Sequence, residues 1–441
     1  MKKFFYKSSV LALMAGIFLT SCDPEIDTPS SSAGELNLTK YVAVGNSLTA
    51  GFADGGLYRS GQLNSYPAIM AEQFKLVGGG EFTQPLFTEA QRNGSGYLRL
   101  TGFTAAGLPI LTPVTSELAV RGMGQDGRTL LYTKFAQPVQ NLGVPGIRME
   151  NVTTAGYGWN NPLGFNPYFE RLLPDAPVPP KSGALTPYVD LVAASNPTFF
   201  TMWLGNNDVL GYATSGGQGN ITTEANFKTN LDAMMTALLK TGVKGMVINI
   251  PDVTGIPYFT TKATASLRQM AAAANAKLYI TTGTGTVREA TNDDFVLLPS
   301  TVGTPEQVGT MTIPHGFSPF NALANSEVLD KDEAAKVKLA TQQFNQALAA
   351  KASANVGLVD MNAFFNSVQM KEGKPQLSIN AVAYSPAFIT GNLFSLDGVH
   401  LTPRGYAIVA NKIIDDINKK FNSRIPKADE TKFRTVQFPV N

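Results

Sequence analysis

Five short apolar runs constrain the fold of this chain more than any other feature of its sequence. They are rich in β-branched and aromatic residues and lie at 41–45, 139–143, 198–204, 245–250 and 356–361. Patterns typical of amphipathic helices lie between or after several of these runs. Strands that alternate with such helices indicate a mostly parallel sheet with helices on both faces. We therefore expect an α/β fold with five central strands.

The final helix is the most clearly marked of the helical patterns. Thr402 supplies a capping side chain, and Pro403 suits the first helical position. Apolar residues then recur every three or four positions as far as Phe421, which gives one stripe suited to packing on a core. Two further helical patterns cover 222–241 and 332–352.

The first apolar run leads into a turn that contains a serine. In the order Gly45-Asn46-Ser47-Leu48, Ser47 follows a strand directly, at the carboxyl end where open α/β sheets bind their ligands. A hydroxyl there is a candidate nucleophile, which needs a general base, a carboxylate to orient the base and donors for an oxyanion. The sequence contains no Gly-x-Ser-x-Gly elbow of the α/β-hydrolase type.

The chain has two histidines, and only one of them has a carboxylate at a useful spacing. Asp397 lies three residues before His400, just ahead of the capped helix. In a loop, that spacing lets the carboxylate reach the near ring nitrogen while the far one faces a nucleophile. His315 has no such partner nearby in sequence, and we interpret it as structural. Two His and one Cys are too few for the usual zinc sites.

Two other strand ends offer donors for an oxyanion. Gly205-Asn206-Asn207-Asp208 follows the third apolar run, and a carboxamide there can donate to developing negative charge. Gly143-Val144-Pro145-Gly146 ends the second run, where Gly146 lets the backbone approach a ligand and offers its N–H. Each segment, taken singly, is also a good turn sequence.

Taken together and in this order, four segments resemble the motifs of the SGNH hydrolases, also called the GDSL esterase/lipase family. The segments are Gly45-Asn46-Ser47-Leu48, Gly143-Val144-Pro145-Gly146, Gly205-Asn206-Asn207-Asp208 and Asp397-Gly398-Val399-His400. The resemblance spans about residues 40–421. It implies a three-layer α/β/α sandwich with a five-stranded parallel sheet, and no metal or organic cofactor.

The same resemblance implies a role for each matching residue. Ser47 is the expected nucleophile, His400 the general base and Asp397 the carboxylate that orients it. The expected oxyanion hole consists of the backbone N–H groups of Ser47 and Gly146 and the side chain of Asn207.

The sequence departs from the family pattern in one residue and in its length. Asn46 stands where the family usually has Asp; this position is outside the triad, and we expect activity to be retained. Large insertions near 78–137, 160–182, 281–321 and 369–392 extend a domain that we place at 37–441. Structureless loops of such length are usually functional, and we expect these to surround the active-site edge. Substrate class stays open between short acyl groups on polysaccharide and lipid or long-chain esters.

The first 21 residues have the pattern of an export signal. Lys2 and Lys3 precede an apolar core too short to span a bilayer, which needs about 20 residues. The order Leu19-Thr20-Ser21-Cys22 resembles the lipobox of bacterial lipoproteins, where the signal is cut before a Cys that becomes lipidated. The alternative is an ordinary secretory signal with an incidental Cys. Residues 22–36 are polar and Pro-rich, which predicts a flexible tether.

These features predict an ester hydrolase of the bacterial cell envelope, attached through the lipidated Cys22 to a membrane that we expect to be the outer one. Its expected partner is an acylated glycan or a lipid ester. A formal net charge of +2 without a basic tract argues against a nucleic-acid partner. The alternative from another class is a surface lipoprotein that binds glycan or lipid on the same fold without turnover. The oligomeric state stays open.

Overall fold

The computed structural model describes residues 30–105, 107–175, 185–371 and 373–439. The predicted signal peptide, Cys22 and most of the predicted tether lie outside these residues, as does part of the insertion at 160–182. The described residues from Ser32 onward form one compact unit. No helix among the described residues is both long enough and apolar enough to cross a membrane.

The centre of this unit is a sheet of five parallel strands. They are β1 Tyr41–Gly45, β2 Asn141–Gly143, β3 Phe199–Trp203, β4 Lys244–Ile248 and β5 Val356–Val359. Their order across the sheet is β5-β4-β3-β1-β2, and every neighbouring pair is parallel. All five strands coincide with the apolar runs of the sequence, so the predicted sheet is confirmed.

Twelve α-helices of the described residues precede, follow or connect the strands. They are α1 Ser47–Ala50, α2 Arg59–Leu63, α3 Tyr66–Lys75, α4 Pro167–Glu170, α5 Tyr188–Ser195, α6 Asn207–Thr214, α7 Glu224–Leu238, α8 Pro257–Thr260, α9 Thr264–Ala273, α10 Lys331–Ala349, α11 Met361–Ser367 and α12 Pro403–Phe421. In α12 the Thr402 hydroxyl accepts the Gly405 N–H at 3.0 Å, which is the cap that the sequence predicted.

Alternate side chains of each strand enter two separate cores. In β1, Val42 and Val44 pack on one face with α5, α6, α7 and α10. Tyr41 and Ala43 pack on the other face with α3, α11 and α12. Successive residues of a strand point to opposite faces, so a sheet buried on both sides must be apolar throughout, as these strands are. The predicted three-layer α/β/α sandwich is confirmed.

The long connections of the described residues contain six antiparallel strand pairs outside the central sheet. The pairs are Tyr97–Phe103 with Pro109–Val114, Val120–Met123 with Leu130–Tyr132, Tyr279–Thr281 with Val287–Glu289, Phe295–Val296 with Val328–Leu329, Pro305–Val308 with Met311–Pro314, and Leu377–Ile379 with Val382–Tyr384. The region between α9 and α10 has a small core of its own, in which Ile280, Val296 and Leu323 are buried. These additions enlarge the sandwich without adding strands to its sheet.

Candidate active site

The serine turn begins at Gly45, where a side chain has no room. Gly45 pairs with Trp203 at the ends of β1 and β3, and a Cβ on Gly45 would overlap the Thr49 hydroxyl oxygen and would lie 2.8 Å from the Trp203 carbonyl oxygen. Ser47 then begins α1, and the Asn46 side chain caps this helix by accepting the Leu48 N–H at 3.1 Å. The turn therefore places the Ser47 hydroxyl at the carboxyl edge of the sheet.

Three side chains from two distant parts of the sequence meet at this edge. The Nε2 atom of His400 lies 2.8 Å from the Ser47 hydroxyl oxygen. The Nδ1 atom of the same ring lies 2.8 Å from Oδ2 of Asp397. A proton on Nδ1 donates to the carboxylate and leaves Nε2 free to accept the proton of the serine, as in a Ser-His-Asp triad. The structure thus brings together the three residues that the sequence singled out.

Asp397 is held as a carboxylate by the groups around it. Burial opposes its negative charge, but attraction to His400 and hydrogen bonds to the charged form outweigh burial and hold the pKa of Asp397 well below its usual range. The backbone N–H groups of Gly55, Val399 and His400 donate to it at 2.9, 2.9 and 2.8 Å. The Ser395 hydroxyl also donates to it, at 3.1 Å. Asp397 can therefore orient His400 and stabilise an imidazolium.

A second buried carboxylate, that of Asp54, binds the loop that contains Asp397; the sequence did not indicate it. Asp54 has its backbone N–H bound to the Ser395 hydroxyl at 2.9 Å, and its Oδ1 accepts the Leu396 N–H at 3.1 Å. Its Oδ2 accepts the Tyr58 hydroxyl at 2.7 Å, and Arg434 donates in turn to Tyr58 at 2.8 Å. Burial raises the pKa of Asp54. These contacts join the segment after Ser47 to the segment before His400.

Each predicted oxyanion donor has an N–H hydrogen that remains available to a ligand. No acceptor among the described residues takes the backbone N–H of Ser47 or of Gly146. Gly146 is exposed and has φ +81°, a left-handed conformation that favours glycine. The Asn207 side chain donates one amide hydrogen to the Ile147 carbonyl at 2.9 Å, which ties α6 to the loop that holds Gly146. An amide has two such hydrogens, so one remains for a ligand.

Asp208, the last residue of its motif, fixes the same loop. This fully buried side chain accepts the backbone N–H groups of Met149 at 2.7 Å and Glu150 at 3.3 Å, and the Thr222 hydroxyl at 2.6 Å. Burial raises the pKa of Asp208 to about 6. Nothing in the local sequence assigned it a role, yet it holds the segment after Gly146 against the start of α6.

The remaining histidine lies in the hairpin region between α9 and α10. Its Nε2 is 2.7 Å from the Glu327 carboxylate, and its Nδ1 is 3.1 Å from Glu306. His315 therefore has acidic partners that the local sequence did not reveal. Within the described ranges, no group of three or more His, Cys, Asp and Glu side chains is arranged to hold a metal ion.

A small cavity, which we call the serine cavity, lies beside Ser47 and His400. Its volume is about 50 Å³, and its polar lining includes Asn206 and Asn207. The Asn46 amide donates to the Asn206 side-chain oxygen at 3.3 Å, so the serine turn and the turn after β3 contact each other here. The rest of the lining is mostly apolar.

The family comparison covers most of the chain. Residues 41–413 match the family described as GDSL-like lipase/acylhydrolase, and this range includes Ser47, Gly146, Asn207, Asp397 and His400. A search of curated proteins and a search of solved structures each found no match. The chain therefore belongs to the GDSL-like lipase/acylhydrolase family and is a carboxylic ester hydrolase.

Proposed function

We propose that this hydrolase cleaves its ester through an acyl-enzyme formed on Ser47. The observation that carries the proposal is the pair of 2.8 Å contacts that joins Ser47 to His400 and His400 to Asp397. Both distances lie within the range that proton transfer and its orientation require.

In the first step, the Ser47 oxygen attacks the ester carbonyl carbon while Nε2 of His400 takes the serine proton. The carbon–oxygen bond to the alcohol then breaks, and His400 returns the proton to the departing alcohol. In the second step, His400 takes a proton from water as the water oxygen attacks the acyl carbon. The acid leaves, and Ser47 recovers its proton. Asp397 stays ionised throughout and stabilises the imidazolium.

The negative charge that develops on the carbonyl oxygen needs donors already in place. We assign these to the backbone N–H groups of Ser47 and Gly146 and to the Asn207 amide. Loss of one such donor raises the barrier by roughly 2.7–4 kcal/mol. For Asn207→Ala we therefore expect kcat to fall by roughly 10²–10³-fold with the fold intact. Unchanged turnover in a folded Asn207→Ala protein would refute this role.

Hydrolysis of p-nitrophenyl acetate and butyrate by the purified protein tests the nucleophile. We expect Ser47→Ala to abolish turnover, because Ser47 is the only hydroxyl-bearing residue among the described residues that line the site. His315→Ala is the matched control, since His315 binds Glu327 and does not contact Ser47; this variant should keep full activity. Equal turnover by Ser47→Ala and the native protein contradicts the proposal.

Because the chain belongs to a hydrolase family, we do not retain the alternative of a binding lipoprotein without catalytic activity. No feature of the site favours binding without turnover.

We also propose that the enzyme is a lipoprotein of the cell envelope, with residues 1–21 as its signal and Cys22 as its lipid attachment site. The support is the order of basic, apolar and small residues before the single Cys of the chain. Lipidation at Cys22 predicts that the native protein sediments with membranes and that its N-terminal peptide carries acyl chains on Cys22. A mature chain that begins elsewhere, or an unmodified Cys22, contradicts it.

A further inference from the structure

The apolar wall of the serine cavity includes residues from three elements of the fold and two connecting segments. Trp203 ends β3, Leu210 lies in α6, Val253 follows β4, Phe365 lies in α11, and Phe394 belongs to the loop before His400. The wall therefore stands directly beside the nucleophile, and its side chains contribute almost no polar surface.

Most of this wall is fixed by packing. Trp203 is fully buried, while Val253, Phe365 and Phe394 are each at most 6% exposed. The Phe365 and Phe394 rings pack with their centroids 5.9 Å apart. Protein interiors are close-packed, so such side chains cannot swing aside at low cost to admit a larger group. The part of the cavity that these side chains line is thus fixed by the packing of the native state.

The cavity volume limits what it can hold. An engineered apolar cavity of about 150 Å³ in another protein takes up benzene, which has six carbon atoms. A cavity of about 50 Å³ is therefore large enough for roughly two or three carbon atoms on the same scale. That matches the hydrocarbon part of an acetyl, propionyl or butyryl group, so most of a long acyl chain would lie outside the cavity.

The lining of the serine cavity also determines whether the acyl part or the alcohol part of the ester enters it. A sugar alcohol carries several hydroxyl groups, and the few polar side chains of the lining, chiefly Asn46, Asn206 and Asn207, would leave most of them without hydrogen-bond partners at considerable cost. We propose that the serine cavity is the acyl pocket of the enzyme and restricts it to esters of short acids, of about two to four carbon atoms. This inference rests on the proposed acyl-enzyme at Ser47.

The rates with a graded set of p-nitrophenyl esters test the inference. We expect kcat/KM for acetate or butyrate to exceed that for octanoate by at least about tenfold. Val253→Ala removes two methyl groups from the wall and should enlarge the cavity. We therefore expect the ratio of octanoate to butyrate activity to rise at least about tenfold in this variant.

Val192→Ala is the matched control, because Val192 is a buried valine of the same core that does not line the cavity. This variant should keep the native ratio even if its stability falls. Leu210→Ala, at a half-buried position of the wall, enlarges the cavity from a different element and covers the case in which Val253→Ala does not fold.

Two results would overturn the acyl-pocket assignment. One is a native enzyme that hydrolyses octanoate as well as butyrate in a reaction that Ser47→Ala abolishes. The other is an unchanged octanoate-to-butyrate ratio in the folded enlarged variants. If no ester is hydrolysed, or if hydrolysis survives Ser47→Ala, the proposed function fails, and the acyl pocket fails with it.

Discussion

Asn46 shows what a single departure from the family pattern does in this chain. Its side-chain oxygen caps α1, and its amide hydrogen is donated to Asn206. An aspartate keeps the cap but cannot donate. Since the Asn206 amide can turn and become the donor, the contact between the two turns survives with either residue at position 46.

The contacts of Asn46 therefore predict that two substitutions of this residue have different effects. Asn46→Asp should keep kcat within about threefold of the native value, because the buried carboxylate still accepts the Leu48 N–H and can accept from the Asn206 amide. Asn46→Ala loses both the cap and the contact with Asn206, and should lower the free energy of unfolding by about 0.5–2 kcal/mol. Urea unfolding and initial rates measure the two effects. An Asn46→Ala protein as stable as the native one would show that neither contact matters for stability.

Asp397 and His400 were predictable at the residue scale because their spacing is local in sequence. Asp54 was not predictable, because its partners Ser395 and Leu396 are more than 300 positions away along the chain. An Asp before a Gly indicates a turn, but nothing in that pattern shows which loop the carboxylate supports. Long-range polar contacts of this kind emerge only when the fold is assembled.

At the scale of elements, the central strands and the capped helix could be predicted from the sequence, whereas the small hairpins could not. Central strands are apolar on both faces, and the α12 cap is a local pattern, so both stand out in the sequence. Most strands outside the sheet are short and half exposed, as in Pro305–Val308 and Met311–Pro314, and the longest pair, Tyr97–Phe103 and Pro109–Val114, consists mostly of exposed and half-buried residues. Their pairing depends on turns and on a small core of distant residues, which a single sequence does not display.

His315, which follows the hairpin that Pro305–Val308 and Met311–Pro314 form, should make a pH-dependent contribution to the stability of the protein. Burial opposes the charge of His315, but its hydrogen bond to Glu327 and the charges of Glu327 and Glu306 raise its pKa above the ordinary value of 6.5. A raised folded-state pKa means that the folded protein binds the proton more tightly than the unfolded chain. The stabilisation is therefore fully present below pH 6.5 and is lost as the pH rises through the folded-state pKa.

His315→Gln tests this contribution. At about pH 6 we expect the variant to be less stable than the native protein by up to about 1 kcal/mol, a value typical of partly exposed ion pairs. At about pH 9 the difference should be smaller, because the imidazole loses its charge as the pH rises through its folded-state pKa. Urea unfolding at the two pH values measures it. A difference that grows with pH would show that charge on His315 is not the cause, and full ester hydrolysis by the variant would confirm its distance from the site.

On the scale of the whole molecule, the site is assembled from the segments at the carboxyl ends of all five central strands. Ser47 lies just after β1, Gly146 after β2, and Asn207 after β3. The serine-cavity residues Val253 and Phe365 lie after β4 and β5. Because parallel strands present their carboxyl ends at one edge, these segments converge there. The polar members could be predicted from motifs, whereas Val253 and Phe365 look like any core residue until the cavity is seen.

The activation of Ser47 by His400 at this edge can be measured directly with a fluorophosphonate. This reagent reacts with an activated serine and leaves a stable adduct, which peptide mass spectrometry locates. We predict that the adduct lies on Ser47, that His400→Ala lowers the labelling rate by at least about 10²-fold, and that His315→Ala leaves it unchanged. An adduct on another residue, or equal labelling of the native and His400→Ala proteins, would contradict the assignment of Ser47 and His400 as nucleophile and base.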